Sequence, residues 1–248
     1  MSKQTEPGSA FAPASGYASP CGRVTLYLGD CLALRHKIPA DAAIISDPPY
    51  GMKLNPHYQR GKNGNGKKGH TRNHGKKVIG DEKPFDPTTW LAWGKVVLFG
   101  SNHFGARLPV GTKLIWLKRY DEGFGSFLSD AEEAWMKGGH GIYCRRDVSM
   151  QGESSNKMHP CQKPIGLMEW CMEKAKVPPG ATVCDPYMGS GTTGIACIRT
   201  GRKFIGIEKS PAHFATAVER IKRELAQGDL FEMHNEVAHP RGEQKGQR

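Results

Sequence analysis

The chain has 248 residues, enough for one well-buried domain, and its 35 Lys and Arg against 24 Asp and Glu give a formal net charge of +11. This excess favours a polyanionic partner, and nucleic acid comes before an anionic membrane because no amphipathic basic helix or lipidation signal is present. No apolar run approaches membrane-spanning length and no secretion signal opens the chain, so we expect a cytoplasmic protein that does not bind membranes.

The seven cysteines are odd in number and are never spaced Cys-x-x-Cys, which predicts reduced, mostly buried thiols. Four possible metal ligands have a spacing that fits no known site, so we predict no metal: His140, Cys144, His159 and Cys161. Residues 1–22 are rich in Ser, Ala, Gly and Pro, and residues 234–248 are polar and charged. We therefore predict flexible tails on either side of one domain over residues 23–233.

The first part of this domain contains several predicted strands. Residues 24–28 alternate apolar and polar side chains and end at a Gly-Asp pair, and residues 42–45 form a short apolar run. A short helix over residues 31–37 lies between them. Residues 95–99, 113–117 and 134–136 predict three more strands, and residues 138–158 predict a small irregular insert.

The last third predicts a strand and helix alternation. A helix over residues 164–175 is followed by a strand at 181–184, a helix at 192–199 and a strand at 204–207. A final helix begins with Ser210 as N-cap and Pro211 at its first position, and it is expected to stop at Gly228. This alternation predicts an α/β fold with a doubly wound, mostly parallel sheet.

A stiff turn follows the second predicted strand, with the sequence Ser-Asp-Pro-Pro-Tyr-Gly over residues 46–51. The two prolines remove two backbone donors and fix φ, which favours an extended Asp47. The turn presents a carboxylate, free carbonyl groups and the ring of Tyr50 at the carboxyl edge of the sheet, where open α/β folds bind ligands.

A cationic, glycine-rich segment follows this turn directly. It spans residues 53–80 and contains no Asp or Glu. We interpret it as a flexible loop that contacts nucleic acid, the alternative being a solvated insertion without a role. The predicted DNA contacts in it are Lys53, Arg60, Lys62, Lys67, Lys68, Arg72, Lys76 and Lys77, and we add Arg145 and Arg146 from the insert.

A second glycine-rich turn joins the strand at 181–184 to the next helix, and its glycines fit the G-x-G-x-x-G pattern: Gly189, Gly191 and Gly194. Glu208 follows near the separation expected of a ribose-binding acid, which a nicotinamide-dependent oxidoreductase would also show. Asp185 favours another ligand, because a carboxylate at this turn would repel a pyrophosphate but suits the positive sulfonium of S-adenosylmethionine.

These motifs together resemble the DNA amino-methyltransferases that act on adenine N6 or cytosine N4. The turn at residues 47–50, the glycine loop at 185–193 and the His-Pro-Cys-Gln-Lys-Pro segment at 159–164 carry the resemblance. The catalytic motif precedes the cofactor loop, as in the permuted β group of that family. The resemblance implies the Rossmann-like methyltransferase fold, S-adenosylmethionine as cofactor and DNA as substrate.

The resemblance also implies residue roles. It assigns catalysis to Asp47, Pro48, Pro49 and Tyr50, and cofactor binding to Asp30, Cys31, His159, Lys163, Pro164, Asp185, Pro186, Tyr187, Met188, Gly189, Ser190, Gly191, Thr192, Thr193 and Glu208. Within this set, residues 30 and 31 meet the adenine, Glu208 the ribose, and residues 159, 163 and 164 the methionine end. The target-recognition region would fall at residues 138–158, where it is unusually short.

We expect the acceptors of the turn, the Asp47 side chain and the Pro48 carbonyl, to activate an exocyclic amine for direct displacement. The base would leave the duplex and stack on Tyr50. Asp in the first catalytic position is typical of the adenine enzymes, so we expect adenine N6 as target. Cytosine N4, an RNA substrate, a homodimer and a catalytically silent DNA-binding module remain open.

Overall fold

The structure is a computed structural model that describes residues 16–52, 80–125, 129–149 and 162–238. Its strands and helices are β1 (Gly16–Ala18), β2 (Val24–Leu28), α1 (Cys31–Leu34), β3 (Ala43–Ser46), β4 (Lys95–Phe99), β5 (Gly111–Leu117), β6 (Ala131–Arg146), α2 (Ile165–Lys174), β7 (Thr182–Asp185), α3 (Thr192–Arg199), β8 (Lys203–Glu208) and α4 (Pro211–Ala238). No helix among these described residues is both long and apolar enough to cross a membrane.

All eight strands form one sheet in the order β1-β2-β8-β7-β3-β4-β6-β5. The five strands from β2 to β4 in this order are parallel, while β1 and β6 pair antiparallel with β2 and β4. The chain continues from β3 to β4 on one side and from β7 to β8 on the other. The carboxyl ends of β3 and β7 therefore flank a topological switch point, where such sheets bind their ligands.

The central strands bury both faces, as expected of a parallel sheet. In β3, Ile45 packs into a core with α2, α3 and α4, whereas its neighbour Ile44 packs into a second core on the opposite face. The second core is closed by α1 and by irregular segments around Phe85 and Trp90. The predicted mostly parallel α/β fold is confirmed, although single-turn helices rather than long ones cover much of this second face.

Three predicted boundaries are wrong. Residues 16–18 were assigned to the flexible tail but form β1, whose backbone pairs with β2. α4 does not stop at Gly228 and runs to Ala238, into the predicted C-terminal tail. A glycine inside a helix costs only about 1 kcal/mol, which the helix-forming residues on both sides of it offset.

The third wrong boundary is that of β6. This strand is longer than the strand predicted at 134–136 and includes part of the predicted irregular insert. It turns back at Gly138 and Gly139, both with positive φ, so that both of its halves pair with β5. Lys113 of β5 is thus opposite Trp135 in one half and Ile142 in the other. Residues 138–146 gain order from this pairing, which the sequence of the segment itself does not reveal.

Candidate active site

The Asp-Pro-Pro-Tyr turn follows β3 directly, at the carboxyl edge of the sheet as predicted. Pro48 is buried, and the Asp47 side chain is 23% exposed. The Tyr50 hydroxyl donates to Oδ1 of Asp47, and Nζ of Lys163 contacts Oδ2 at 2.5 Å. Two donors therefore fix the orientation of this carboxylate.

The ring of Tyr50 is held by neighbours from the end of β4. It stacks on His103 with ring centroids 4.9 Å apart and an interplanar angle of 15°. It also packs so close to Gly100 that a Cβ there would lie 2.0 Å from its Cε1. Burial, the largest influence, raises the pKa of Tyr50, so the hydroxyl stays protonated and donates to Asp47.

The chain leaving the catalytic turn is anchored by Asp81. Oδ1 of this residue accepts hydrogen bonds from the backbone N–H groups of Gly51 at 2.8 Å and Met52 at 2.9 Å. Gly80 also lies against Pro49, because a Cβ on it would be 3.3 Å from the proline Cγ. Met52 and Gly80, the described residues on either side of residues 53–79, therefore both lie at the catalytic turn.

Lys163 lies at the catalytic turn, where sequence motifs did not indicate it. Its ammonium group contacts Asp47 and, at 3.1 Å, Oε2 of Glu132, and its place near the methionine end of the cofactor stays a prediction. It also lies 5.4 Å above the Phe99 ring centroid. The nearby carboxylates outweigh its burial and raise the pKa of Lys163 well above the ordinary value. The group is a permanent cation beside Asp47.

Asp185, at the end of β7, is buried and has its carboxylate fully engaged. Oδ1 accepts from Ser46 Oγ at 2.5 Å and from the Tyr187 backbone N–H at 3.1 Å, and Oδ2 accepts from Thr193 Oγ1 at 2.6 Å. These bonds join β3, β7 and the start of α3. Asp185 therefore organises the glycine loop, and its direct contact with a positive ligand stays a prediction.

Burial raises the pKa of Asp185 from 3.8 to about 6, and its hydrogen bonds offset only part of this effect. The folded chain thus keeps this proton to higher pH than the unfolded chain, so ionisation of Asp185 lowers stability as pH rises from about 4 to 6.

Asp185→Asn should remove this loss of stability. In urea unfolding, we expect the stability of Asp185→Asn relative to wild type to increase by roughly 1 to 3 kcal/mol between pH 4 and 7. The exposed Asp41→Asn is the matched control, and parallel curves for wild type and Asp185→Asn would contradict the burial argument.

Glu208 connects the glycine loop to the start of α4. Its Oε2 accepts from the Gly189 backbone N–H at 2.9 Å, and its Oε1 accepts from the Ser210 N–H at 2.7 Å. Asp30 lies on the adjacent strand end, where Gly29 N–H bonds to the Glu208 carbonyl and Lys209 pairs with Asp30 at 3.1 Å. The structure therefore brings together the predicted ribose acid, the glycine loop and the predicted adenine segment.

Glu208→Ala should weaken S-adenosylmethionine binding by roughly 1 to 3 kcal/mol, because it releases the Gly189 N–H and would remove the predicted ribose acceptor. Glu208→Gln, which keeps one acceptor oxygen, should lose less. Isothermal titration calorimetry measures both, with exposed Glu219→Ala on α4 as control. A folded Glu208→Ala protein with unchanged affinity would remove this residue from the cofactor site.

Three other predicted cofactor residues pack their side chains into the protein core, with Cys31 and Met188 buried and Tyr187 partly buried. Tyr187 packs edge-on against Phe85 and Trp90, at centroid distances of 5.8 and 5.9 Å. Met188 is 4% exposed, and burial raises the pKa of Cys31 to about 11. Cys31 and Met188 therefore offer a cofactor mainly their backbone, whereas part of the Tyr187 side chain stays accessible.

The remaining loop residues also form a framework around one open position. Pro186, Ser190, Gly191, Thr192 and Thr193 are buried, whereas Gly189 has open space where a Cβ would project. Behind the loop, buried Arg220 of α4 donates from Nη1 to the carbonyl and hydroxyl of Ser190 at 2.6 and 2.8 Å. Open space beside the Gly189 backbone, next to Glu208, fits a nucleoside such as that of S-adenosylmethionine.

The described part of the chain contains few of the predicted DNA contacts. The eight basic residues of the 53–80 loop and His159 lie outside the described residues. Arg146 pairs with Asp121. The Arg145 side chain packs against Gly166 of α2, where an added Cβ would lie 3.2 Å from the arginine Nη2. Arg146 therefore has an acidic partner and Arg145 packs against α2, and DNA contact by either stays a prediction. Within the described ranges no group of His, Cys, Asp and Glu could hold a metal.

Comparison with known proteins decides between the readings of this site. A family model described as DNA methylase, N6_N4_Mtase, matches residues 106–219. The chain thus carries an N6/N4 DNA methylase domain over these residues. It is therefore a DNA methyltransferase with S-adenosylmethionine as cofactor. The oxidoreductase alternative is thereby removed.

Two relatives and two solved structures illustrate the likeness of this N6/N4 methylase. It is 26% identical to YubD of Escherichia coli (strain K12) over 226 residues, covering 81% of this chain and 92% of YubD. It is 41% identical to the type II methyltransferase M2.DpnII of Streptococcus pneumoniae over 66 residues, 27% of this chain and 24% of that protein. The crystal structure of the M1.HpyAVI–SAM complex gives a TM-score of 0.52 with 23% identity, covering 79% of this chain and 99% of that one. PvuII DNA methyltransferase (cytosine-N4-specific) gives 0.51 with 17% identity, covering 82% and 91%. These two structures support the fold.

Proposed function

We propose that this methylase transfers a methyl group to the exocyclic N6 of adenine in DNA, by direct displacement on a base rotated out of the duplex. The observation that carries the proposal is the catalytic turn: a carboxyl acceptor, Asp47, lies at the carboxyl end of β3 and across the switch point from the cofactor loop. Ser46 and Asp185, bonded to each other at 2.5 Å, tie these two parts of the site together.

The amine of adenine is a weak nucleophile because its lone pair is delocalised into the ring. Acceptors at both N6 protons, the Asp47 carboxylate and the Pro48 carbonyl, would localise that lone pair and direct it. Tyr50, supported by His103 and Gly100, offers the adjacent aromatic surface for the extruded base.

Bound S-adenosylmethionine supplies a methyl group activated by a positive sulfur. The amine lone pair forms the new N–C bond as the S–C bond breaks. The electrons of the broken S–C bond stay on the sulfur and neutralise its charge. The amine nitrogen becomes positive and then releases one proton, which the Asp47 carboxylate would accept. No covalent intermediate with the protein is needed, consistent with burial raising the pKa of both Cys31 and Cys184.

The choice of adenine rests on Asp at the first position of the catalytic motif, where cytosine enzymes usually have Ser. Ser46 lies one position earlier and its hydroxyl donates to Asp185, so it is engaged in the framework of the site. Transfer of labelled methyl from S-adenosylmethionine to genomic DNA, followed by digestion to nucleosides, tests the proposal. We expect labelled N6-methyladenine, and N4-methylcytosine as the main product would overturn it.

We further propose that the basic segment at residues 53–80 binds the DNA strand that delivers the base. Each lysine that neutralises a phosphate should contribute about 0.9 to the slope of log affinity against log salt. Replacing Lys67, Lys68, Lys76 and Lys77 with Ser should therefore flatten that slope by ~2 to 4 while leaving S-adenosylmethionine affinity unchanged. Fluorescence anisotropy at several salt concentrations measures this, and an unchanged slope would make the segment a solvated insertion.

A further inference from the structure

A line of alternating charges runs from the catalytic carboxylate into β6. Asp47 contacts Lys163, Lys163 contacts Glu132 at 3.1 Å, and Glu132 contacts Lys118 at 3.2 Å. We call these four residues the ion chain. The Lys163 side chain is 8% exposed, whereas Lys118 at the outer end is 25% exposed and so better screened by solvent.

We propose that Glu132 is a positioning residue for methyl transfer, which acts through Lys163 to hold Asp47 in place and to keep it a strong acceptor. This inference rests on the proposed reaction at Asp47. Glu132 lies in β6, outside the catalytic and cofactor motifs.

The geometric part of the argument is the anchoring of Lys163. A lysine side chain is long and flexible, and one contact to Asp47 would fix neither group. Glu132 gives the ammonium a second contact from a different strand, and Phe99 lies beneath it with its ring centroid at 5.4 Å. With Tyr50 on its other oxygen, Asp47 is then held from two sides.

The electrostatic part concerns the charge of the inner three members. Asp47 and Lys163 alone would form a neutral pair, in which the full charge of the lysine weakens Asp47 as an acceptor. Glu132 shares that charge and leaves the three residues with a net charge of −1. Methyl transfer brings positive charge onto the exocyclic nitrogen beside Asp47, so this net negative charge stabilises the transition state more than the ground state.

Glu132→Gln should therefore lower kcat by roughly 10- to 100-fold while S-adenosylmethionine affinity and the KM for DNA change by less than about twofold. Glu133→Gln is the matched control: this adjacent glutamate also pairs with a lysine, Lys113 at 2.7 Å, and with Ser101, but not with Lys163. Glu133→Gln should keep kcat within about threefold of wild type.

A double-mutant cycle separates action through Lys163 from a general effect on the fold. In a Lys163→Met background, Glu132→Gln should cause no further loss of kcat, because the connecting cation is gone. The same cycle on the urea unfolding midpoint, without cofactor, should show that Lys163→Met destabilises the chain less when Glu132 is already Gln, because position 132 then has no carboxylate that depends on Lys118 as its remaining cation.

Three results on activity and cofactor binding would overturn the inference alone: a Glu132→Gln enzyme within about threefold of wild-type kcat, an equal loss of kcat in the Lys163→Met background, or a cofactor affinity that falls in parallel with kcat. Additive unfolding effects would do the same. A wild-type protein that transfers no methyl to DNA would instead overturn the proposed function together with this inference.

Discussion

Asp47→Ala is expected to lower kcat at least ~10²- to 10³-fold, while S-adenosylmethionine affinity stays close to wild type. The substitution removes the acceptor that strengthens in the transition state, and the described contacts of Asp47 are with Tyr50 and Lys163 rather than with the glycine loop. Single-turnover transfer of labelled methyl to DNA measures the rate, and calorimetry measures the cofactor affinity.

Asp47→Ala also leaves the buried ammonium of Lys163 with Glu132 as its remaining carboxylate partner, so folding must be checked in parallel. Asp47→Asn is the matched variant because it keeps the shape and one acceptor oxygen but loses the charge. We expect its rate to lie between those of wild type and Asp47→Ala. Turnover of folded Asp47→Ala above about a tenth of wild type would contradict the mechanism.

Gly100→Ala is expected to have the second largest effect, on both activity and stability. Gly100 has φ of +70°, and an added Cβ would lie 2.0 to 2.5 Å from three atoms of the Tyr50 ring. The ring must move, which separates its hydroxyl from Asp47 and disturbs the stack on His103. We expect kcat to fall about tenfold or more and the free energy of unfolding to fall by roughly 2 to 4 kcal/mol.

Gly22→Ala separates the clash with Tyr50 from the strain of the backbone. Gly22 has nearly the same φ, +68°, but no atom lies within 4 Å of an added Cβ, and it belongs to the turn between β1 and β2. It should cost only the left-handed strain of about 1 to 2 kcal/mol and leave kcat unchanged. Equal effects of the two substitutions would contradict the packing of Tyr50 on Gly100.

Local patterns in the sequence were sufficient to predict most of the sheet. Residues 95–99 and the helix at 192–199 have the predicted bounds, because their apolar spacing and flanking turns specify them within a few residues. The fold-back of β6 was missed because its order comes from pairing with β5. The end of α4 was missed because Gly228 is a weak signal when good helix formers continue beyond it.

The active-site residues also fall into two groups, those that local motifs predicted and those that only the fold reveals. The catalytic turn and the glycine loop are contiguous motifs, so their chemistry could be read directly. Lys163 contacts Asp47 across 116 positions, and Glu132 and His103 reach the site from strands and turns that carry no motif. Only the folded sheet, which brings the ends of β3, β4 and β6 side by side, shows these partners.

A crystal structure of the protein with a non-reactive cofactor analogue and adenine-containing DNA would test the central claim most directly. The account predicts an adenine outside the duplex, with its N6 within about 3.2 Å of both an Asp47 carboxylate oxygen and the Pro48 carbonyl oxygen. An adenine whose N6 lies away from Asp47, or a complex in which cytosine N4 takes this position instead, would contradict it.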